Sequence, residues 1–142
     1  MKKKLQIIWK MKLQGLIIAG IISLTFLFAF APQRKERIVP SDAEKEKNPI
    51  TSDAASITAG KKIYNYKCYA CHGSKGKGDG PKSAEFDSKP QDFTNSDFQK
   101  QSDGALCWKI TKGNTTMPCF KRQMTKDQRW EVINYIRTFA KS

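Results

Sequence analysis

The chain has 142 residues, of which 39% are hydrophobic, and it carries 26 basic side chains against 13 acidic ones. This length favours one domain with attached segments and argues against a large enzyme with a deep core and a substrate cleft. The nine glycines and six prolines are ordinary counts that exclude a collagen-like or low-complexity chain. There is one histidine, His72, which excludes any site with two histidine ligands.

The net charge of +13 is unevenly distributed. Residues 1–31 carry five lysines and no acid, residues 32–57 are balanced, and residues 58–142 carry 16 basic and 8 acidic side chains. Two interpretations of the last segment stay open: an ordinary solvated surface, or a surface that steers the protein toward an acidic protein patch. No lysine stripe or nucleic-acid motif is present, so nucleic acid is not an expected partner.

Residues 13–31 form an apolar stretch, LQGLIIAGIISLTFLFAFA, that follows the five lysines. At ~1.5 Å per helical residue it is long enough to span a bilayer, which favours an uncleaved anchor over a signal peptide. Ala29-Phe30-Ala31 has the small-x-small form of a cleavage site, but the Pro32 that follows fits a protease cleft poorly. We therefore predict a hydrophobic helix within residues 1–31 that anchors the chain in a membrane, with cleavage at Ala31 as the alternative.

Residues 32–57 carry balanced charge, three prolines and few apolar side chains. Such a composition is typical of disordered segments, because it cannot bury a core. We predict a flexible linker with a reach of roughly 25–30 Å, which would tether a folded domain and let it move.

Residues 68–72 read CYACH, the spacing of a haem c attachment site, at the end of a helix predicted over about 57–69. The thiols of Cys68 and Cys71 can both reach the vinyl groups on one edge of a porphyrin, and the imidazole of His72 then faces the iron. The sequence therefore predicts one covalently attached haem c with His72 as an iron ligand.

A four-cysteine zinc site is the alternative use of these thiols, with Cys107 and Cys119 as the second pair. Those two cysteines are twelve residues apart and lack the close spacing of a zinc knuckle. The histidine directly after Cys71 would also be a coincidence in a zinc site, so we favour haem.

The iron needs a second axial ligand for electron transfer, and methionine is the natural candidate where no second histidine exists. Met117 lies in a loop after Gly113, and the following Pro118 stiffens that loop. Met124 precedes a capping box formed by Thr125 and Gln128, which makes it a core residue at the start of the last helix. Met117 is the preferred ligand, and Met124 or an open iron site are the alternatives.

Two further helices are predicted, over about 103–112 and 126–140, the first started by Ser102 or Asp103 and ended by Gly113. A loop over roughly 73–100 is too long for a compact domain unless it wraps something, and a haem supplies that centre. No strand is predicted. The expected fold is all-α, with three to four helices around one covalent haem.

Several segments together resemble the class I cytochromes c, in particular the small bacterial monohaem type. They are TAGKKIY leading into CYACHG, the glycine-rich GSKGKGDGP at 73–81, PQDFT at 90–94, SDGALCWKITKG at 102–113, TTMP at 115–118 and the final TKDQRWEVINYIRTFA. The resemblance covers residues 58–142, which we assign as the cytochrome c domain.

The resemblance implies roles for further residues. It supports Met117 as the sixth ligand, because the ligand methionine of the family is also followed by proline. It implies that the carbonyl of Pro81 accepts the second ring N–H of His72, which fixes the tautomer. Phe93 and Trp108 would wall the haem, with ordinary core packing as the alternative.

The resemblance also bears on packing. The first and last helices are expected to cross, with Gly60 permitting close approach and Tyr64 packing against Val132 and Tyr135. A domain of this size has a marginal core, so we expect the haem-free chain to fold poorly.

Cys107 and Cys119 depart from the family pattern and flank the Met117 loop. In an oxidising compartment they could form a disulfide that holds Met117 on the iron. Two buried, reduced thiols are the alternative.

Haem c is attached outside the cytoplasm in bacteria, so we expect an inner-membrane anchor with the haem domain in the periplasm, or a soluble periplasmic protein after cleavage at Ala31. The expected function is single-electron transfer, without enzymatic activity, between respiratory or periplasmic redox partners. These partners would have acidic docking surfaces, such as a terminal oxidase or a quinol-oxidising complex. Two alternatives stay open: a ligand sensor or peroxidase-like site if Met117 leaves the iron, and a fixed cytochrome subunit of a respiratory complex.

Overall fold

The computed structural model describes residues 37–140, and this part of the chain is helical without any strand. The helices are α1 (Ser41–Lys45), α2 (Ala54–Lys67), α3 (Tyr69–His72), α4 (Ser96–Gln99), α5 (Asp103–Lys112) and α6 (Lys126–Arg137), with a 3-10 turn at Ser83–Glu85. The all-α prediction is confirmed for these residues. The predicted N-terminal hydrophobic helix lies outside them, and no helix within residues 37–140 is long and apolar enough to cross a membrane.

The helix ends follow from their capping residues. α2 begins earlier than predicted because the carboxylate of Asp53 accepts the Ser56 amide while the Ser56 hydroxyl accepts the Asp53 amide. Ser102 caps α5, which ends at Gly113 as predicted. The predicted capping box at Thr125 starts α6, and this helix ends before residue 140.

α2 and α6 cross in close contact, as predicted. A Cβ on Gly60 would lie 2.0 Å from the carbonyl oxygen of Glu131. Only glycine, which has no Cβ, therefore lets the backbones of the two helices approach this closely. Tyr64 is fully buried in the same core as Val132. Its ring packs edge-on against Tyr135, with the ring centroids 5.2 Å apart.

Residues 38–53, here called the strap, differ from the predicted flexible linker because they pack onto the domain. Residues from Ile38 onward belong to one compact unit. α1 lies so close to α5 that a Cβ on Gly104 would be 2.1 Å from the carbonyl oxygen of Ala43. Glu46 also pairs with Lys126 of α6, with 2.5 Å between the charged atoms. Residues 54–57 of the predicted linker lie in α2, and residues 32–36 lie outside the described residues.

One buried amide ties the strap to α6. Asn134 is 3% exposed, and its Nδ2 donates to the carbonyl of Ile50 at 3.2 Å and to the hydroxyl of Ser56 at 3.1 Å. Its Oδ1 accepts a hydrogen bond from Nδ2 of Asn48 at 2.8 Å. A single side chain thus satisfies polar groups on both sides of the junction between the strap and α2.

We expect Asn134→Ala to lower the free energy of unfolding of the haem-loaded protein by about 1–3 kcal/mol, because buried acceptors lose their donor. Guanidinium unfolding followed by far-UV circular dichroism measures this change. The control is Asn65→Ala on the exposed side of α2, which should not destabilise the protein, since alanine favours a helix. Equal unfolding free energies for the two variants would contradict an integral role for the strap.

Candidate haem site

The CYACH segment folds into one helical turn at the end of α2. The Cys68 amide donates to the carbonyl of Tyr64 at 2.8 Å, which ends α2. The Cys68 carbonyl then accepts the amides of Cys71 at 3.2 Å and of His72 at 2.9 Å, which starts α3. These three residues stand at positions i, i+3 and i+4, and such positions share one face of a helix. The fold therefore brings the two predicted haem thiols and the predicted iron ligand together.

Burial disfavours the charged form of both thiols of this turn. Burial raises the pKa of the Cys68 thiol to about 12, with a further contribution from the neighbouring Cys71. Burial also raises the pKa of Cys71, partly offset by the positive charge of Lys82. Neither thiol is in a disulfide. Within residues 37–140 the four cysteines do not gather into a group that could hold a metal ion, so the zinc interpretation has no support there.

The imidazole of His72 is oriented by two contacts. Its Nδ1 lies 3.2 Å from the carbonyl oxygen of Gln91, and its ring stacks on Phe93 with the centroids 4.3 Å apart. Because a carbonyl can only accept, this contact requires Nδ1–H and leaves the lone pair on Nε2 as the ligand atom. Phe93 contacts the predicted ligand directly. In the structure the carbonyl near Nδ1 is that of Gln91, where the resemblance implied that of Pro81.

The path of the glycine-rich segment 73–81 explains this difference. Its end folds back on α3, where the Gly80 amide donates to the Cys71 carbonyl at 3.2 Å and the Lys82 amide to the Ala70 carbonyl at 2.8 Å. These bonds satisfy the carbonyl end of a helix and leave Pro81 exposed. The chain returns to His72 only at 90–93, where the Phe93 amide donates to the Gly76 carbonyl at 2.7 Å.

Gly78 permits that return. It has a φ of 68°, and a Cβ on it would lie 2.2 Å from the carbonyl oxygen of Pro90. A side chain here would both strain the backbone and push segment 90–93 away from the imidazole. The GKGDG sequence thus acts on the site through its backbone.

A buried tyrosine fixes the backbone directly after His72. The hydroxyl of Tyr64 donates to the carbonyl of Gly73 at 2.7 Å, and burial raises the pKa of this hydroxyl. The sequence predicted the packing of Tyr64 but not this hydrogen bond. No sequence signal identifies a backbone carbonyl as its acceptor.

The two candidate methionines occupy different environments. Met124 is 5% exposed and belongs to the core, as predicted. Met117 is half-buried and packs against the edge of the same apolar cluster, which Cys68 also contacts. Trp108 is half-buried on α5, and its role as a haem wall stays a prediction.

Cys107 and Cys119 are free thiols in different environments. Cys107 is buried on α5 near the guanidinium of Arg129. Cys119 is exposed, and its Sγ donates to the carbonyl of Thr111 at 3.0 Å. The structure therefore shows neither the disulfide nor a pair of buried thiols.

These residues fit a c-type haem. Two thiols and an imidazole with its ligand nitrogen defined share one helical face, and the apolar cluster that Cys68 contacts has the Met117 side chain packed against it. A Cytochrome c family model matches residues 57–140 of the chain.

The protein belongs to the cytochrome c family. As a class I c-type cytochrome it carries a covalently attached haem c with its iron. Its structure is similar to a chain of the reducing HAO-like protein complex of Kuenenia stuttgartiensis, with a TM-score of 0.60 and 32% identity. That match covers 80% of this chain and 54% of the other, so this cytochrome spans about half the length of its structural relative. No curated protein matches the chain.

We expect Tyr64→Phe to lower the free energy of unfolding of the haem-loaded cytochrome by about 1–2 kcal/mol, because the Gly73 carbonyl loses its buried donor. Thermal unfolding followed by circular dichroism measures the change. Tyr66→Phe is the matched control, since Tyr66 is 81% exposed on the same helix and should change stability by less than about 0.5 kcal/mol. If the two variants unfold at the same temperature, the Tyr64 hydroxyl does not stabilise the turn at residues 68–73.

Proposed function

We propose that this cytochrome is a monohaem carrier of single electrons between respiratory or periplasmic redox partners and is not an enzyme. The observation that carries the proposal is the single CYACH turn, with an imidazole held by the Gln91 carbonyl and Phe93. With one attachment motif and one histidine, the chain offers a site for one haem.

The proposed roles follow from the chemistry of each side chain. Cys68 and Cys71 would hold the haem through thioether bonds, and His72, through Nε2, and Met117 would be the iron ligands. The bound haem supplies an iron that takes up and releases one electron. Histidine and methionine together raise the reduction potential relative to two histidines. The Gln91 carbonyl keeps the proton on Nδ1, and Trp108 is proposed as part of the haem wall.

The proposed partner is a redox protein with an acidic docking surface, such as a terminal oxidase or a quinol-oxidising complex. Residues 58–142 carry twice as many basic as acidic side chains. Three exposed lysines flank residues 68–72 in the sequence, namely Lys61, Lys62 and Lys82. Long-range attraction of this kind accelerates encounter and weakens with salt.

A second candidate is a fixed cytochrome subunit of a redox complex. The structural relative comes from a protein complex. The packed strap also removes much of the mobile tether that would favour a free carrier. This candidate keeps the same haem chemistry and differs in whether the partner is bound permanently.

Replacing Met117 tests the proposed ligation. We expect the oxidised parent to show the weak long-wavelength iron–sulfur charge-transfer band, and Met117→Ala to lose it. The matched control is Met124→Leu, which conserves volume in the core and should retain the band. An optical spectrum of each purified protein decides the point.

Carbon monoxide binding distinguishes an iron ligated by Met117 from the alternative, an open iron site. A parent that lacks the band and binds carbon monoxide readily in its reduced form would have an open iron. That result would contradict the electron-carrier proposal and favour a sensor or peroxidase-like site.

We also propose that residues 1–31 anchor the protein in the inner membrane, with the haem domain in the periplasm. The apolar stretch 13–31 and the proline after Ala31 support an uncleaved segment. The intact mass of the full-length cytochrome, expressed in a bacterium that attaches haem c, tests this. We expect a chain that retains its N-terminal segment in the membrane fraction. A mature chain beginning at Pro32 in the periplasmic fraction would contradict the anchor.

A further inference from the structure

The loop that carries Met117 is organised around one side chain, that of Asn114. Its Oδ1 accepts the backbone amide of Met117 at 2.6 Å and that of Thr116 at 2.9 Å. The same oxygen lies 3.1 Å from the Thr116 hydroxyl. The backbone amide of Asn114 donates to the Met117 carbonyl at 2.8 Å. Both polar groups of the Met117 backbone are therefore bonded to Asn114.

The ends of the loop are attached to α5. Gly113, at the end of α5, has a φ of 60°, and a Cβ there would lie 2.5 Å from the carbonyl oxygens of both Met117 and Pro118. At the other end, the amide of the buried Phe120 donates to the Ile110 carbonyl at 3.3 Å. The loop is thus fixed at both ends, and between these ends Asn114 holds the backbone of Met117.

This arrangement fixes the backbone from which the thioether projects. The side chain of Met117 packs against the edge of the apolar cluster, while Asn114 is exposed and contributes nothing to that packing. A ligand whose backbone is already ordered loses less conformational freedom when it binds the iron, so the iron–sulfur bond is favoured.

We propose that Asn114 is the positioning residue for the iron ligand Met117, acting through its side-chain carbonyl. This proposal rests on the proposed function, because it takes Met117 as the sixth ligand. It predicts that the side-chain oxygen Oδ1 at position 114 is needed to position Met117 and that the side-chain nitrogen Nδ2 is not.

Imidazole binding to the oxidised cytochrome measures the strength of the methionine bond, because imidazole must displace Met117. We expect Asn114→Ala to raise the apparent affinity for imidazole about fivefold, the effect of one net hydrogen bond. Asn114→Asp retains an acceptor oxygen and should stay within about twofold of the parent. Thr115→Ala, at the exposed neighbouring position, is the control and should match the parent. Rescue by aspartate separates positioning from a general loosening of the fold.

The outcomes separate the positioning role from the ligation itself. If the charge-transfer band is present and Asn114→Ala binds imidazole no more tightly than Thr115→Ala, the positioning role is overturned while Met117 remains the ligand. A parent without the band would overturn both the ligation and the positioning role.

Amide hydrogen exchange in the parent cytochrome tests the same contacts without any variant, should Asn114→Ala fail to fold. We expect the amides of Thr116 and Met117 to exchange about tenfold more slowly than that of Thr115, because Asn114 Oδ1 accepts from both. Equal exchange of the three amides would overturn the proposal.

Discussion

The contact between α2 and α6 at Gly60 is the interaction on which the haem site depends. Gly60, Tyr64 and Cys68 stand four residues apart, so one face of α2 runs from the helix crossing to the first haem thiol. The close approach at Gly60 buries Tyr64 completely, and the Tyr64 hydroxyl then holds the Gly73 carbonyl directly after His72. A shift at the crossing would therefore move the imidazole as well as the core.

Helices and loops make different contributions to this site. The helices bury apolar side chains and place the two thiols and the imidazole on one turn. The orientation of the ligands comes from loops, through the Gln91 carbonyl at His72 and the Asn114 side chain at Met117. Hydrogen bonds are directional and so fix the orientation of a group, whereas the hydrophobic effect that drives apolar packing is not directional. A site that keeps its ligands during changes of iron charge benefits from this division.

The parts of the fold that could be predicted are those encoded in neighbouring residues. The capping box at Thr125, the stop at Gly113 and the haem turn at 68–72 all depend on residues within four positions of one another. The acceptor for His72 could not be found in this way, because every residue has a carbonyl and the choice depends on the path of a long loop. The segment PQDFT still contained a signal, since Phe93 lies two residues after Gln91, whose carbonyl lies near Nδ1 of His72.

The strap was mispredicted for a related reason. Its charges and prolines are typical of disordered segments, so its composition predicts disorder. Asn48 and Ile50 nevertheless form hydrogen bonds with Asn134, which lies more than eighty residues further along the chain. Patterns within a short window cannot reveal such pairs. The same limit applies to Cys119, whose exposure depends on how its loop folds back on Thr111.

The packed strap affects how this cytochrome could reach its partners. The predicted tether had 26 residues, from 32 to 57, but the compact unit begins at Ile38. The strap residues 38–53 therefore cannot serve as a flexible tether between the proposed anchor and the folded unit. A carrier that shuttles between distant membrane complexes gains from a long tether. The loss of this tether supports the second candidate, a fixed subunit, and in that setting the proposed basic docking surface would select the docking orientation more than the rate of encounter.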